Sequence, residues 1–440
     1  MALVSNQDVV IKEENPEVTL VQVLNVPDFV EQYLDIDARL CLRKTCTTIR
    51  NIINEKRLHI GCLNFNCYGM TTYEDDSIEI SNENCVEIST DEGFKVTYKI
   101  IEEHGLEVTN GDRRKFIHEE KKNEQIKIIQ HDLMTILCGE KLRIDTLRIE
   151  SDHKTNDEDD CYGISHHFYE EDEDEEDKDD KNKDKEDKEK EAKEEVDYEE
   201  EGWDDNTQIG MRALQKTLKQ LPNKLKVNNL EYFVQELDNV FIETLEKIDP
   251  EHLKSLQLRI YRYYICAVDW EYLYNLEQWK RLKSIDVCYP LPAIPDIVNS
   301  YTHFENAYLE IADFFLLDGG ISKHDVVMQI KEKLLENHNL KQFKLCAYSN
   351  MHDWDFENIK ASLQEYNTNN APYPCWVSIP YPDSDKKLQL LVKRKMIWFK
   401  GPCYVEGEEE EEREDDDEEE EDSDDDDDDE EEPNFNWDNY

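Results

Sequence analysis

Few residues in this chain are spaced for chemistry. Cys161 and the adjacent pair His166-His167 place a thiol and two imidazoles close together in sequence. These are metal-ligand types, but neighbouring histidines in a charged stretch are ordinarily solvated, and no metal is assigned to them. Cys41 and Cys46, like Cys62 and Cys67, are five apart, a spacing that suits neither a zinc knuckle nor a redox pair, and no C-x-x-C occurs. The chain has no G-x-G-x-x-G, no G-x-x-x-x-G-K-[ST], no G-x-S-x-G and no H-E-x-x-H. No catalytic residue, cofactor or metal is therefore expected, and the chain reads as a non-enzyme. Two modification patterns are present. Ser423 stands between Glu421-Asp422 and a run of aspartates, a setting for an acidophilic casein-kinase-type kinase, and Ile11-Lys12-Glu13-Glu14 fits the short sumoylation pattern. Phosphate on Ser423 would deepen existing charge rather than switch a fold.

The charge is segregated. Of the net −55, residues 170–201 supply −14 (21 acids against 7 lysines) and residues 406–432 supply −23 (24 acids against Arg413). Self-repelling carboxylates do not recover the entropy lost on ordering, so both runs read as disordered, although the mixed Lys/Glu part, Lys178–Glu195, could form a transient coiled-coil-like charged helix. A polyanion attracts basic proteins such as histones and argues against direct contact with nucleic acid, whose phosphates need a basic surface. No stretch of eighteen apolar residues occurs and the first residues lack a charged start and apolar core, so neither a membrane span nor a signal peptide is expected. Twelve cysteines in 440 residues are not a disulfide density. They read as reduced, buried thiols, Cys288 and Cys346 among them, in a cytoplasmic or nuclear protein.

The stretch from Arg39 to Ile53 reads as one helix with Leu42, Cys46, Ile49 and Ile53 on a single apolar stripe, and Arg43, Lys44 and Arg50 away from it. Upstream come Leu20–Val26, Pro27, Asp28-Phe29-Val30 and Tyr33-Leu34-Asp35. Pro27 suits a helix start, and Asp35 or Asp37 can cap the next helix. So short a module cannot bury Phe29, Val30, Tyr33, Leu34 and Leu40 by itself. The order of an apolar strap, a proline, Leu-Asp and then R-L-x-L-R-K-x-C-x-x-[LI]-R, with Arg43, Cys46 and Ile49 as signature positions, resembles the F-box of the large nematode F-box families. The resemblance implies docking on a Skp-family adaptor of a cullin–RING ubiquitin ligase through Pro27, Phe29, Val30, Tyr33, Leu34, Leu40 and Leu42. The segment from Pro27 to Leu34-Asp35 is about four residues shorter than the family pattern, roughly one helical turn, which shrinks the expected contact.

Further along, Ile78–Ile80, Val86–Ile88 and Phe94–Tyr98 alternate as strands, and residues 117–138 return to helix with Gly139 as its C-cap. A repeat follows. Leu253-Lys-Ser-Leu256-Gln-Leu258, Leu282-Lys-Ser-Ile285-Asp-Val287 and Leu340-Lys-Gln-Phe343-Lys-Leu345 start 29 and then 58 residues apart, which places a degenerate missing copy at position 311. Leu225–Leu230 and Leu142–Ile149 extend the series upstream. Helices over Glu236–Ile248 and Ser322–Asn337 would separate the strands. One strand and one helix per 28–29 residues is the signature of a leucine-rich-type α/β solenoid; an ordinary α/β domain with evenly spaced strands is the alternative. Leu276-Glu-Gln278-Trp279-Lys280-Arg-Leu-Lys283 is similar to the L-x-Q-W-K-x-A-K element of the nematode FTH domain, which follows the F-box in those proteins. His131–Leu137, His303-Phe304-Glu305 and Trp376–Phe399 match in family order.

The expected class is thus α/β: a small all-α F-box, then a leucine-rich-repeat-like α/β domain, with a disordered acidic insert and tail. The expected division is an arm (1–17), an F-box-like module (18–58), a β-rich then helical start of the FTH-like domain (59–151), the acidic insert (152–208), the FTH-like repeat domain (209–405) and the acidic tail (406–440). Two functions compete. One is an F-box substrate receptor that links an unidentified protein target to a Skp–cullin–RING ligase. The other is an acidic-tailed repeat protein that binds basic proteins.

Overall fold

The computed structural model describes residues 19–26, 29–30, 34–71, 84–101, 105–118, 121–155, 207–234, 237–260, 268–291, 297–311, 322–347, 350–368, 371–382 and 384–406. Pro27, Tyr33, Ile78–Ile80, Cys161, His166, His167, Ser423 and nearly all of both acidic runs lie outside them. Within them, eleven α-helices accompany one 14-stranded sheet.

At the N-terminus α1 (Leu20–Leu24), α2 (Ile36–Arg43) and α3 (Thr47–Glu55) are followed by β1 (Leu58–Thr71). Asp35 caps α2, its Oδ1 accepting from the Ala38 amide at 2.7 Å. The single helix expected over Arg39–Ile53 is in fact α2 and α3, separated by Lys44-Thr45-Cys46. At the end of α2 the Lys44 and Thr45 amides donate to Cys41 O and Leu42 O, each at 3.1 Å, and side chains add to this: the Thr45 hydroxyl donates to Leu42 O at 2.7 Å and Arg50 Nε to Arg43 O at 3.0 Å. Cys46 is extended and exposed, not on a buried stripe.

An antiparallel meander of β2 (Asn84–Thr90), β3 (Lys95–Ile101), β4 (Gly105–Asn110) and β5 (Arg113–Ile117) lies beside β1, and α4 (Lys122–Leu137) leads to β6 (Leu142–Thr155). The cap of α4 is Cys138, with an ordinary φ, and Gly139 merely follows it. Then come α5 (Thr207–Gln220), β7 (Lys226–Val234), α6 (Asn239–Lys247), β8 (Ser255–Ile260), α7 (Trp270–Asn275), α8 (Glu277–Arg281), β9 (Ser284–Leu291), α9 (Ile297–Ser300), β10 (Asn306–Ile311), α10 (Lys323–Leu334), β11 (Gln342–Ala347) and α11 (Asp353–Leu363). The chain closes with β12 (Val377–Pro380), β13 (Lys387–Val392) and β14 (Met396–Lys400).

β1, β6, β7, β8, β9, β10 and β11 run parallel, each unit adding its strand beside the previous one. Every one of the seven strands reads apolar-x-x-apolar-x-apolar into the core: Ile60/Leu63/Phe65, Ile144/Leu147/Ile149, Val227/Leu230/Tyr232, Leu253/Leu256/Leu258, Leu282/Ile285/Val287, Phe304/Ala307/Leu309 and Leu340/Phe343/Leu345 are all buried. Period-two alternation then turns the intervening side chains to the opposite face. The period is less regular than the sequence suggests. Register partners Leu230, Leu256, Ile285, Ala307 and Phe343 are 26, 29, 22 and 36 residues apart. The copy expected at 311 begins instead at Phe304, and a short unit followed by a long one accounts for the apparent doubled repeat. The same alternation corrects the expectation for two cysteines. Cys288 and Cys346 are one step out of the buried register and stand part-buried on the open face, while only Cys67 of the ten described cysteines is buried; none of the ten is joined in a disulfide.

The sheet ends in antiparallel strands on both sides, with β5 and β12 at the edges. β5 carries Arg113-Arg114-Lys115 and β12 is four residues ending in Pro380, both devices that discourage further strand addition. Gly210 sits where α5 crosses β1 and β2. A Cβ there would overlap the Cys67 sulfur and come within 2.8 Å of Val86 Cγ2, and both neighbours are fully enclosed. Alanine would add about 1 kcal/mol of helix propensity, but overpacking a filled core costs about 1–3 kcal/mol. Gly210→Ala is therefore expected to lower the urea midpoint of the full chain with an unchanged slope; a midpoint equal to or above wild type would contradict this packing.

Candidate functional site

The N-terminal helices form a small core of their own. Leu24, Val30, Ile49 and Ile53 are buried together, with Phe29, Leu34, Leu42 and Ile52 packed around them. Leu40 lies against the main core, into which Ile36 is fully buried. The described members of the expected adaptor surface, Phe29, Val30, Leu34, Leu40 and Leu42, thus all contribute to internal packing, Val30 completely. Among the described residues, the large apolar side chains this module presents to solvent are Leu20 (48 % exposed), Val21 (37 %) and Val26 (49 %). Two arginines fasten it. Arg39 is buried, its guanidinium donating to Leu34 O at 2.9 Å, Arg57 O at 2.7 Å and Val30 O at 2.8 Å. Arg43 reaches the end of α4, donating to Thr135 O and, at 3.1 Å, to Cys138 Sγ. Nothing in the alternation marked Arg39 as internal; only the local surplus of carbonyls around it calls for a five-donor group.

The Gln278-Trp279-Lys280 element lies in α8 and joins the units on either side. Gln278 is buried and its Nε2 donates backward to Glu246 O at 3.2 Å and Ile248 O at 2.8 Å, at the end of α6. Trp279 points forward, Nε1 donating to Ser300 O at 3.0 Å. Its ring meets Tyr274, Tyr301 and Phe304 at centroid distances of 5.4, 5.4 and 5.5 Å. His303 Nε2 returns a hydrogen bond to Trp279 O at 3.2 Å. Lys280 is exposed beside Glu277. The indole is a packing element between repeats and presents no face to a ligand.

What remains open is the sheet face opposite the helices. Read across the strands, one row runs Thr146, Asn229, Ser255, Ser284, Asn306, Gln342 and the next Arg148, Glu231, Gln257, Asp286, Tyr308, Lys344. All are part-buried. Many are tied to a neighbour across the strands: Asn229 Nδ2 to Thr146 Oγ1 at 3.3 Å, Ser255 Oγ to Asn229 Oδ1 at 2.7 Å and Asn306 Nδ2 to Ser284 Oγ at 3.1 Å. Charge is balanced over the first part of the face. Arg148 Nε meets Glu231 at 2.6 Å and its guanidinium lies over Phe233 at 5.5 Å. Asp286 Oδ2 accepts from Gln257 at 3.0 Å and Arg259 at 3.1 Å. Cys288 donates to Glu310 at 2.8 Å. Burial first, then the Glu310 carboxylate, push this thiol up, with Arg259 opposing, which suppresses the thiolate form a nucleophile needs. A wide, pre-ordered surface of amides, hydroxyls, paired charges and aromatic faces suits recognition of another polypeptide.

Cys161, His166 and His167 lie outside the described residues, and among the described residues no cluster of three or more His, Cys, Asp or Glu is placed to hold a metal. No helix among them is long and apolar enough to cross a membrane. Residues 209–365 match the FTH domain, a family associated with F-box-type proteins. This span takes in five of the seven parallel strands and the Gln278-Trp279-Lys280 element. No curated protein and no solved structure matches the chain.

The indole makes a specific demand. Trp279→Phe keeps an aromatic ring but removes the donor to buried Ser300 O, and an unsatisfied buried carbonyl costs about 1–3 kcal/mol. Trp279→Ala adds a cavity, for about 3–5 kcal/mol in all. Denaturant unfolding of the full chain should therefore rank wild type above Phe above Ala; equal stability of wild type and Trp279→Phe would show that the indole hydrogen bond contributes nothing.

Proposed function

We propose that this chain is a non-enzymatic substrate receptor of the F-box type. Its N-terminal helices dock on a Skp-family adaptor of a cullin–RING ubiquitin ligase, and the open face of a leucine-rich-type solenoid holds a protein target. The observation that carries this reading is the FTH match over residues 209–365, in a chain whose N-terminal residue order resembles, about one helical turn short, that of the nematode F-box. The residues themselves support a binding role: the open face offers paired polar groups and aromatic rings, and its Cys288 thiol is held protonated. A receptor contributes position rather than reaction chemistry, by raising the effective concentration of a target near the ubiquitin carrier.

The docking surface on this reading is centred on Leu20, Val21 and Val26, because among the described residues these are the large apolar side chains left exposed, while Val30, Ile49 and Ile53 hold the module together behind them. Purified Skp adaptor should bind the full chain. Leu20→Asp combined with Val26→Asp should weaken that binding at least tenfold without shifting the unfolding midpoint, since both residues are solvent-facing. Failure of the wild-type chain to bind the adaptor sinks the receptor reading; undiminished binding by the double variant moves the dock elsewhere on the module.

A further inference from the structure

The C-terminal end of the open face is rich in lysine and aromatic side chains. Tyr308, Lys344, Trp398 and Leu391 stand in register on β10, β11, β14 and β13, with Gln342, Lys400 and Gln389 in the adjoining row. Lys387 lies on the same face of β13 and is exposed, and Trp376, at 39 % exposure, packs against Trp398 with ring centroids 5.3 Å apart. Lys344 lies over Tyr308 at 5.5 Å and Trp398 at 5.3 Å. Lys400 lies over Trp376, Trp398 and Tyr404 at 4.8, 4.2 and 4.2 Å. Gln342 Oε1 fixes the Trp398 indole through a hydrogen bond of 3.1 Å. The first such lysine sits one strand beyond Glu310, and in the sequence from 384 to 404 six Lys and Arg residues face one acid, Asp385. In a chain of net charge −55 this is a local reversal of sign.

The polypeptide leaves the fold at this same place. Gly401 lies so close to the preceding unit that a Cβ would overlap the Leu340 carbonyl oxygen, its amide donates to Lys341 O at 2.7 Å, and Cys403 N donates to Leu340 O at 3.0 Å. Tyr404 then packs edge-on to Trp398 at 6.3 Å. Glu406, where the run of 24 acids begins, is two residues further on, about 7 Å of extended chain. A segment tethered this closely has an effective concentration of about millimolar at the lysines. It also lies within the Debye length, about 8 Å at physiological salt.

We propose that the acidic tail, residues 406–432, folds back along the Lys344–Lys387–Lys400 end of the open sheet face and occupies it, so that this end is a site for acidic peptide segments with the tail as its resident ligand. The lysines supply attraction, and the rings of Tyr308, Trp376, Trp398 and Tyr404 hold the Lys344 and Lys400 side chains in place. An acidic partner segment must displace the tail to reach this end. A basic protein drawn to the tail must pull it away from the lysines. The proposal does not depend on the receptor reading, since it needs no adaptor.

The test uses full-length protein and fluorescein-labelled oligoglutamate followed by anisotropy. In a variant with every Asp and Glu of 408–432 replaced by Asn or Gln, the peptide should bind at least tenfold tighter than to wild type, and 0.5 M NaCl, about three times physiological ionic strength, should abolish the gain. Adding Lys344→Gln and Lys400→Gln to that variant should remove the gain. Lys387→Gln alone, at an exposed position with no packing role, should reduce it and guards against a folding artefact in the pair. Equal binding by wild type and the neutral-tail variant overturns the proposal, as does a gain that survives the lysine substitutions. Adaptor binding measured on the same proteins reports on the receptor reading separately.

Discussion

Every helix leaves its last carbonyls without amide partners, and in a stack of α/β units those carbonyls are covered by the neighbouring unit. Satisfying them is the constraint on which the arrangement depends. Lys247 Nζ donates back to Leu221 O at 2.6 Å, Gln278 to Glu246 O and Ile248 O, Asn337 Nδ2 to Thr302 O at 3.1 Å and Phe304 O at 2.9 Å, and the Tyr381 hydroxyl to Leu334 O at 3.2 Å. The donor comes from a different residue type each time, and in these four cases the later unit closes the earlier one; Trp279 Nε1 closes Ser300 O in the opposite direction. Arg43 does the same for α4 from the N-terminal side, through Thr135 O.

A second, purely backbone ladder runs at the strand entrances. Lys254 N donates to Asn228 O at 2.7 Å, Lys283 N and Ser284 N to Lys254 O at 3.0 Å, Glu305 N to Lys283 O at 2.8 Å, Lys341 N to Glu305 O, and Gly401 N to Lys341 O. This ladder pins the strands in register where they enter the sheet. The side-chain closures tolerate variation in what lies between. Units of 22 and 36 residues can therefore sit side by side without disturbing the buried ladder of Ile285, Ala307 and Phe343. The stack stops where the pattern of donors stops, at antiparallel strands whose edges carry charge or proline.

What the sequence revealed and concealed follows from the same division. The buried ladder was legible at Leu253, Leu282 and Leu340 because strand alternation is local. The copy at Phe304 was hidden because Ala307 fills the position where the other repeats carry Leu, Ile or Phe, and because its unit is short. The Gln278-Trp279-Lys280 element was visible as a motif, but its role as a two-way tie between units depends on Ser300 and Ile248, which are remote in sequence. Arg39–Ile53 read as one helix because periodicity is blind to side chains that cap carbonyls; the local Thr45 and Arg50 bonds at the end of α2 leave the apolar spacing unchanged. Apolar residues near a proline look alike whether they face a partner or their own small core: Val30 is enclosed, Phe29, Leu34, Leu40 and Leu42 are half-buried, and Leu20 and Val26 stay open. The Lys344–Trp398–Lys400 cluster was not foreseen, since its members come from two strands that meet antiparallel only after the repeats have ended.

On the receptor reading proposed above, the docking end and the target face have to be held at a fixed distance and angle, because a flexible joint spreads the target over a large volume and dilutes the gain. In this fold the joint is α2 and its two arginines. Arg39 locks the module internally against three carbonyls, and Arg43, four residues on, clamps it to the end of α4. Residues four apart share one side of a helix, so one helix face carries both the internal lock and the external clamp. α4 in turn packs on the sheet, where the Tyr98 hydroxyl of β3 donates to Asp132 Oδ2 at 2.7 Å. Burial and the Asp132 carboxylate push the Tyr98 hydroxyl up, so it stays a donor at any physiological pH. The path from the N-terminal helices to the open face therefore passes through charged or charge-assisted hydrogen bonds at each joint. Such bonds are short, directional and stronger than neutral ones, and a mechanism based on rigid placement requires joints of this kind.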